Sequence, residues 1–194
     1  ATLVLFFIRD RLNAPAQEPL FLASYFVAAA ASMPLWMRSV ARWGLARSWL
    51  AGMLLSVAVF VWAATLRGGD VAGFWWVCVL SGLALGSDLA LPGALLAGMI
   101  AARGDRGQRE GAYFGWWNLA SKLNLALAAG LALPLLELMG YRPGSASAEG
   151  LQALTIAYAV LPCTLKLLAA ATLYRSFVRP ARAHTSSSPA AEAS

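Results

Sequence analysis

Two long apolar stretches, residues 73–102 and 111–140, constrain the fold of this chain more than any other feature of its sequence. Each stretch has 30 residues, and an α-helix of that length is about 45 Å long, enough to cross a hydrocarbon layer of roughly 30 Å. Each also carries a charged residue near its middle, Asp88 in the first and Lys122 in the second. Charged residues at such depth usually face the interior of a helical bundle or a wet cavity. The two stretches therefore predict a transmembrane hairpin.

The composition favours lipid over water as the solvent. The chain is 60% hydrophobic and 12% charged, whereas soluble domains carry about 25% charged residues. The net charge is +6, but the basic residues are spread over several boundaries of apolar segments. This distribution indicates membrane topology rather than nucleic-acid binding. We predict an all-α membrane protein with membrane lipid, and no nucleic acid, as a partner.

The apolar segments predict five complete spans and a shorter first one. The first nine residues are apolar but too few to span, so we expect them to end a helix that begins before Ala1. We expect residues 1–177 to form one bundle and the Ser-, Ala- and Pro-rich residues 178–194 to be a disordered tail. The predicted helices lie at about 1–9, 20–38, 48–66, 73–102, 111–140 and 151–174.

An alternating path through these spans places nine arginines on one side of the membrane and four on the other. The side richer in arginine is expected to be cytoplasmic, which puts the C-terminus in the cytoplasm of a multi-pass inner (plasma) membrane protein. A short basic loop is expected at residues 38–47, and Pro34 is expected to kink the span before it. Gly82 and Gly86 have the GxxxG spacing of closely packed membrane helices.

Few residues suggest enzymatic or metal chemistry. The two cysteines, Cys78 and Cys163, lie inside apolar segments, and the one histidine, His184, lies in the polar tail. The sequence contains no HExxH, no GxSxG and no phosphate-binding glycine loop. We predict no enzymatic activity, no metal site and no cofactor.

Four residues are candidates for lining a cavity. Asp88 and Lys122 lie about 21 and 17 Å from the hinge at residues 103–110, so the two are expected to meet near the middle of the bilayer. Asn118 shares a helical face with Lys122, and Lys166 lies about 14 Å inside the last span. Separating an acid from an amine changes the proton affinity of both groups, so the pair suggests proton or ion coupling. A fixed ion pair is the alternative, and Lys166 is equally compatible with snorkelling to the interface.

The hinge carries a charged cluster, Arg106, Arg109 and Glu110, at the start of the second stretch. Glu110 suits the positive end of the helix dipole there. The cluster is compatible with a solvated loop and also with a gate that makes and breaks salt bridges.

Residues 108–115 (QREGAYFG), followed by Lys122 twelve residues after Glu110, resemble the signature of the glycoside–pentoside–hexuronide:cation symporters of the major facilitator superfamily. Weaker similarities lie at residues 33–36 with 42–47, and at residues 161–163 with Lys166. The resemblance extends from Ala1 to about Phe177. It implies the C-terminal six-helix bundle of a major-facilitator transporter, with its first helix truncated and an N-terminal half of the same protein as partner.

On this resemblance, Lys122 matches a lysine near the family's cation and sugar sites. The family often has two aspartates before the hinge, and Leu96 and Met99 stand at those positions here. The implied function is symport of a small polar solute, a sugar or glycoside, with H+ or Na+ as coupling ion, by alternating access between two bundles. A non-transporting membrane scaffold or assembly protein is the alternative that the missing aspartates favour. A lipid-handling relative with a more apolar cavity is a third possibility.

Overall fold

The computed structural model describes residues 2–105, 107, 109–140 and 148–179. The described residues form helices joined by short connections, and the predicted tail lies outside them from residue 180 onward. The helices are α1 (Thr2–Phe6, continued by a π turn to Arg11), α2 (Glu18–Ala31), α3 (Met33–Trp43), α4 (Leu45–Thr65), α5 (Val71–Ala102), α6 (Glu110–Leu138), α7 (Ala148–Thr155) and α8 (Leu161–Leu173, extended by π turns on both sides).

Within the described residues, five helical segments are long and apolar enough to span a membrane. This is the number of complete spans that the sequence predicts, and it agrees with an all-α membrane fold. The segments are Pro15–Trp43, Leu45–Thr65, Val71–Ala102, Glu110–Leu138 and Ile156–Val178.

The prediction of a basic loop at residues 38–47 is wrong, because these residues are helical except for a turn at Gly44. The helix breaks earlier, at Ser32, because Pro34 has no N–H to donate and its ring crowds the preceding turn. The chain then continues as α3 to Trp43 and turns into α4 at Gly44 alone, whose φ of +79° favours glycine. The arginines expected in the loop are therefore helical.

Small residues bring α5 close to α2. A Cβ on Gly82 would meet the carbonyl oxygen of Tyr25, and a Cβ on Gly86 would meet the Ser32 hydroxyl and, at 2.9 Å, the carbonyl oxygen of Ala29. These contacts seat α5 directly on α2, as the GxxxG spacing predicts.

Gly52 and Ser87 fix the register between α4 and α5. A Cβ on Gly52 would overlap the Ser87 hydroxyl, so the two residues lie at the same level of the bundle. Gly52 is seven residues from the start of α4, whereas Ser87 is fifteen residues from the end of α5. Helix α5 therefore extends about 12 Å beyond the start of α4.

An aromatic core closes the opposite end of the bundle. Phe7 stacks on Phe74 at 5.5 Å and on Tyr158 at 4.6 Å, and Phe21 meets Phe74 edge to face at 5.1 Å between ring centroids. Just outside this core, Arg9 donates two hydrogen bonds to the Glu18 carboxylate, at 2.5 and 3.1 Å. The hydrogen bond to Glu18 raises the pKa of Arg9.

Helix α6 packs lightly against the rest of the chain. Among its described side chains, only Leu136 is buried, and it packs with Leu154 near the end of the helix. Exposed leucines follow one another along α6, including Leu119, Leu123 and Leu127. So much apolar surface on a spanning helix implies contact with lipid or with another part of the protein.

Candidate functional site

Three helices bring together an acid, an amine and an indole. The Lys166 ammonium on α8 donates to Oδ2 of Asp88 on α5 and forms an ion pair with it. The Trp49 indole N–H on α4 donates to the other carboxylate oxygen, Oδ1, at 3.1 Å. The side chains of Lys166 and Asp88 remain 23% and 29% exposed. We call Trp49, Asp88 and Lys166 the charge cluster.

The packing of α4 on α5 explains how the indole reaches the acid. Gly52 faces Ser87, and Trp49 precedes Gly52 by about one turn on the same face of α4. Asp88 follows Ser87 directly on α5. The register set by Gly52 therefore presents the indole to the Asp88 carboxylate.

Helix α8 is held against α4 one turn before its lysine. The Cys163 thiol donates to the carbonyl oxygen of Val57 at 3.7 Å. Lys166 lies three residues after Cys163, so both side chains lie on the same side of α8. This contact positions the ammonium beside α5.

Asp88 and Lys166 form a hydrogen-bonded ion pair inside the bundle. Both carboxylate oxygens of Asp88 accept hydrogen bonds, one from the Trp49 indole and one from the Lys166 ammonium. Removing one partner of a buried pair typically costs about 3–5 kcal/mol, and less when the groups are partly exposed, as they are here. The pair is therefore a stabilising contact between α5 and α8 that is not fully enclosed by the described residues.

The expected meeting of Asp88 with Lys122 is not what the structure contains. Asp88 is paired with Lys166, whereas Lys122 and Asn118 are exposed on α6. Trp117 of α6 faces the groove beside the charge cluster, and Lys122, five residues later, points about 140° away around the helix. The partner of Asp88 thus comes from the last span instead.

The charge cluster is also nearer the basic end of the bundle than the count from the hinge suggests. Because α5 extends past α4, part of the distance from the hinge to Asp88 lies beyond the level of Arg47. Measured from Arg47 through Gly52 and Ser87, the level of Asp88 is about 6 Å inside.

Trp49 is the residue of this site that sequence reasoning misses. It lies one turn inside a basic boundary, where a tryptophan is normally read as interfacial. Its role depends on helix register, which the sequence alone does not specify.

The hinge residues occupy separate positions. Arg106 lies outside the described residues, Arg109 is exposed, and Glu110 begins α6. Within the described part of the hinge, neither Arg109 nor Glu110 forms an ion pair. The Tyr113 hydroxyl instead donates to the Asp105 carboxylate at 3.0 Å, linking the hinge to the first turn of α6.

No group of three or more His, Cys, Asp or Glu side chains within the described ranges could hold a metal ion. No curated protein matches the sequence of this chain. A family model described as MFS/sugar transport protein matches residues 1–178. This range contains the charge cluster, the hinge and all five spans. The chain therefore belongs to the sugar transport protein family of the major facilitator superfamily, the melibiose-carrier-like group that its hinge motif resembles.

Proposed function

We propose that this transporter carries a small polar solute, a sugar or glycoside, by symport with H+ or Na+. The observation that carries the proposal is the Asp88–Lys166 ion pair within the spanning segments, held by Trp49 and still partly exposed. An intramembrane charge pair with access to water is a feature of ion pathways and relays. In this proposal, Asp88 releases Lys166 and binds the coupling ion in its place during each cycle.

Helix α6 supplies the second part of the proposal. Asn118 and Lys122 are exposed on a spanning helix, although a lysine at the centre of a bilayer costs about 2.5–3.5 kcal/mol on insertion scales. A water-filled passage beside α6 removes most of that cost. Asn118 and Lys122 then donate hydrogen bonds to the hydroxyl groups of the solute.

Alternating access needs a second bundle, and we propose that an N-terminal half of the same protein provides it. It covers the exposed face of α6 and forms the opposite wall of the passage. Arg109 and Glu110 lie at the start of α6, and we propose that the charged cluster of Arg106, Arg109 and Glu110 acts as a hinge or gate. The protein spans the inner membrane, with its C-terminus in the cytoplasm. We propose no enzymatic activity and no cofactor.

The test is uptake by the complete protein in proteoliposomes, using radiolabelled mono- and disaccharides with an imposed proton or sodium gradient. Asp88→Asn should abolish gradient-driven accumulation while leaving exchange of solute across the membrane. Lys122→Ala should raise the KM for the solute because it removes a hydrogen-bond donor from the passage.

The matched control is Glu18→Gln, which removes the carboxylate from the Arg9–Glu18 pair near the opposite end of the bundle. It should leave accumulation and KM unchanged. Normal accumulation by both Asp88→Asn and Lys122→Ala would show that the two residues are structural. Normal accumulation by the double variant Asp88→Asn/Lys166→Gln would assign the pair a purely structural role.

A further inference from the structure

An apolar groove runs from Trp49 of the charge cluster along the C-terminal ends of α5 and α8. It has a volume of about 300 Å³ and lies between α4, α5, α8 and the start of α6. Its walls include Met53, Leu95, Met99, Trp117 and Phe177. Such a surface offers little to a polar solute, which needs hydrogen-bond partners, but it suits a hydrocarbon chain.

The position of the groove along α5 follows from the spacing of its residues. Asp88, Pro92, Met99 and Arg103 succeed one another at intervals of four, seven and four residues, so all four lie on one face of the helix. The stripe leads from the ion pair to an arginine about 22 Å away. Pro92 and Met99 line the groove between these two charged ends.

Three arginines lie close in sequence to the outer lining residues of the groove. Arg103 follows the lining residues of α5, and Arg175 and Arg179 flank those of the last turn of α8. All three arginines are exposed, and within the described ranges none of them is in an ion pair. The carboxylate that follows on the chain, Asp105, accepts the hydrogen bond from Tyr113.

The level of the groove matches one leaflet of the membrane. Trp49 and Met53 line it from the first turns of α4, a spanning helix, while the end of α5 extends about 12 Å past the start of α4. The inner walls of the groove therefore lie beside the first turns of α4, whereas Leu95, Met99 and the arginines lie beyond the start of α4, on the headgroup side. Basic pockets between spanning helices on the cytoplasmic side attract anionic headgroups.

We propose that this groove binds one anionic phospholipid from the leaflet on the basic side. One acyl chain lies along the apolar walls, and the phosphate contacts Arg103 and Arg179. The inner end of the chain reaches the charge cluster, so the lipid shields the Asp88–Lys166 pair from water on this side. The proposal does not depend on which solute the protein carries.

The test is native mass spectrometry of the complete detergent-solubilised protein titrated with phosphatidylglycerol or phosphatidylcholine. Phosphatidylglycerol should bind at least tenfold more tightly than phosphatidylcholine. Arg103→Gln and Arg179→Gln should each weaken phosphatidylglycerol binding roughly fivefold, the effect expected for one basic residue near an anionic headgroup. Ala169→Trp, which fills the groove from α8, should weaken it at least tenfold.

The controls match these changes elsewhere on the chain. Arg67→Gln removes an exposed arginine at the other end of the bundle, and Leu167→Trp adds an indole to the far side of α8. Neither should alter phosphatidylglycerol binding. If Ala169→Trp does not fold, Thr172→Phe fills the same groove with a smaller ring.

Three results would overturn the proposal. The first is equal affinity for the two lipids. The second is a loss in Arg103→Gln/Arg179→Gln no greater than in Arg67→Gln. The third is displacement of phosphatidylglycerol by the transported sugar, which would assign the groove to the solute pathway.

Discussion

Replacing Gly86 by alanine should loosen the contact between α2 and α5, whereas the same change at Gly98 should not. The new Cβ at position 86 would meet the Ser32 hydroxyl and lie 2.9 Å from the carbonyl oxygen of Ala29. Ser32 can rotate away, but its hydroxyl then loses the 2.7 Å hydrogen bond that it donates to Ala29. The Ala29 carbonyl belongs to the backbone of α2, so it moves only if the whole helix shifts.

The size of the effect follows from three terms. Overpacking of this kind costs about 1–3 kcal/mol, and loss of the Ser32 hydrogen bond costs about 0.5–1.5 kcal/mol. Alanine recovers about 1 kcal/mol through its higher helix propensity. The net expectation is a destabilisation of about 0.5–3.5 kcal/mol. Gly98→Ala meets nothing within 4 Å, so only the favourable propensity term applies to it.

The assay is thermal unfolding of the detergent-solubilised protein followed by tryptophan fluorescence. Gly86→Ala should lower the midpoint by several degrees, and Gly98→Ala should leave it unchanged or raise it slightly. Adding Ser32→Ala to Gly86→Ala should recover part of the loss, because it removes the hydroxyl that the new methyl group meets. Equal midpoints for Gly86→Ala and Gly98→Ala would refute the close contact between α2 and α5.

Two smaller predictions concern single hydrogen bonds. Trp49→Phe keeps the aromatic wall of the groove but removes the hydrogen-bond donor to Asp88. It should lower solute accumulation in the uptake assay, though less than Asp88→Asn does. Accumulation equal to that of the wild type would show that the indole does not position the carboxylate. Tyr113→Phe removes the donor to Asp105 and should destabilise the start of α6 by about 0.5–1.5 kcal/mol, seen as faster hydrogen–deuterium exchange there; exchange equal to that of the wild type would contradict the link.

The sequence predicts the membrane fold well because hydrophobic length is a local property. Each spanning helix satisfies its own backbone hydrogen bonds, so a run of apolar residues identifies it without knowledge of its neighbours. The glycine contact at Gly82 and Gly86 is predictable for a similar reason, since small residues at that spacing permit close approach. The prediction of a loop at residues 38–47 fails because a single glycine with positive φ turns the chain where the sequence predicts a longer polar connection.

The partner of Asp88 is harder to predict, because it depends on how neighbouring helices are rotated, aligned and held against one another. Counting residues from a loop places Lys122 and Lys166 at similar depths, so depth does not distinguish them. The choice follows from the rotation of α6 and from the register that Gly52 sets between α4 and α5. The thiol contact of Cys163 then holds Lys166 beside the acid. None of these is encoded in the hydrophobic pattern of one helix.

The rotation of α6 separates two tasks that the sequence assigns to a single pair. Trp117 faces the groove at the charge cluster, whereas Lys122 points toward the uncovered side of the helix. In the proposed function, a solute held by Lys122 does not touch Asp88 directly, so coupling between the two would require movement of α6 against α5. The lysine on α6 should then govern affinity for the solute, while the acid on α5 governs use of the gradient. This division follows because Lys122 lies on the side of α6 that faces away from the groove, whereas Asp88 lies on α5. Helix α6, which separates them, packs only weakly against the rest of the chain.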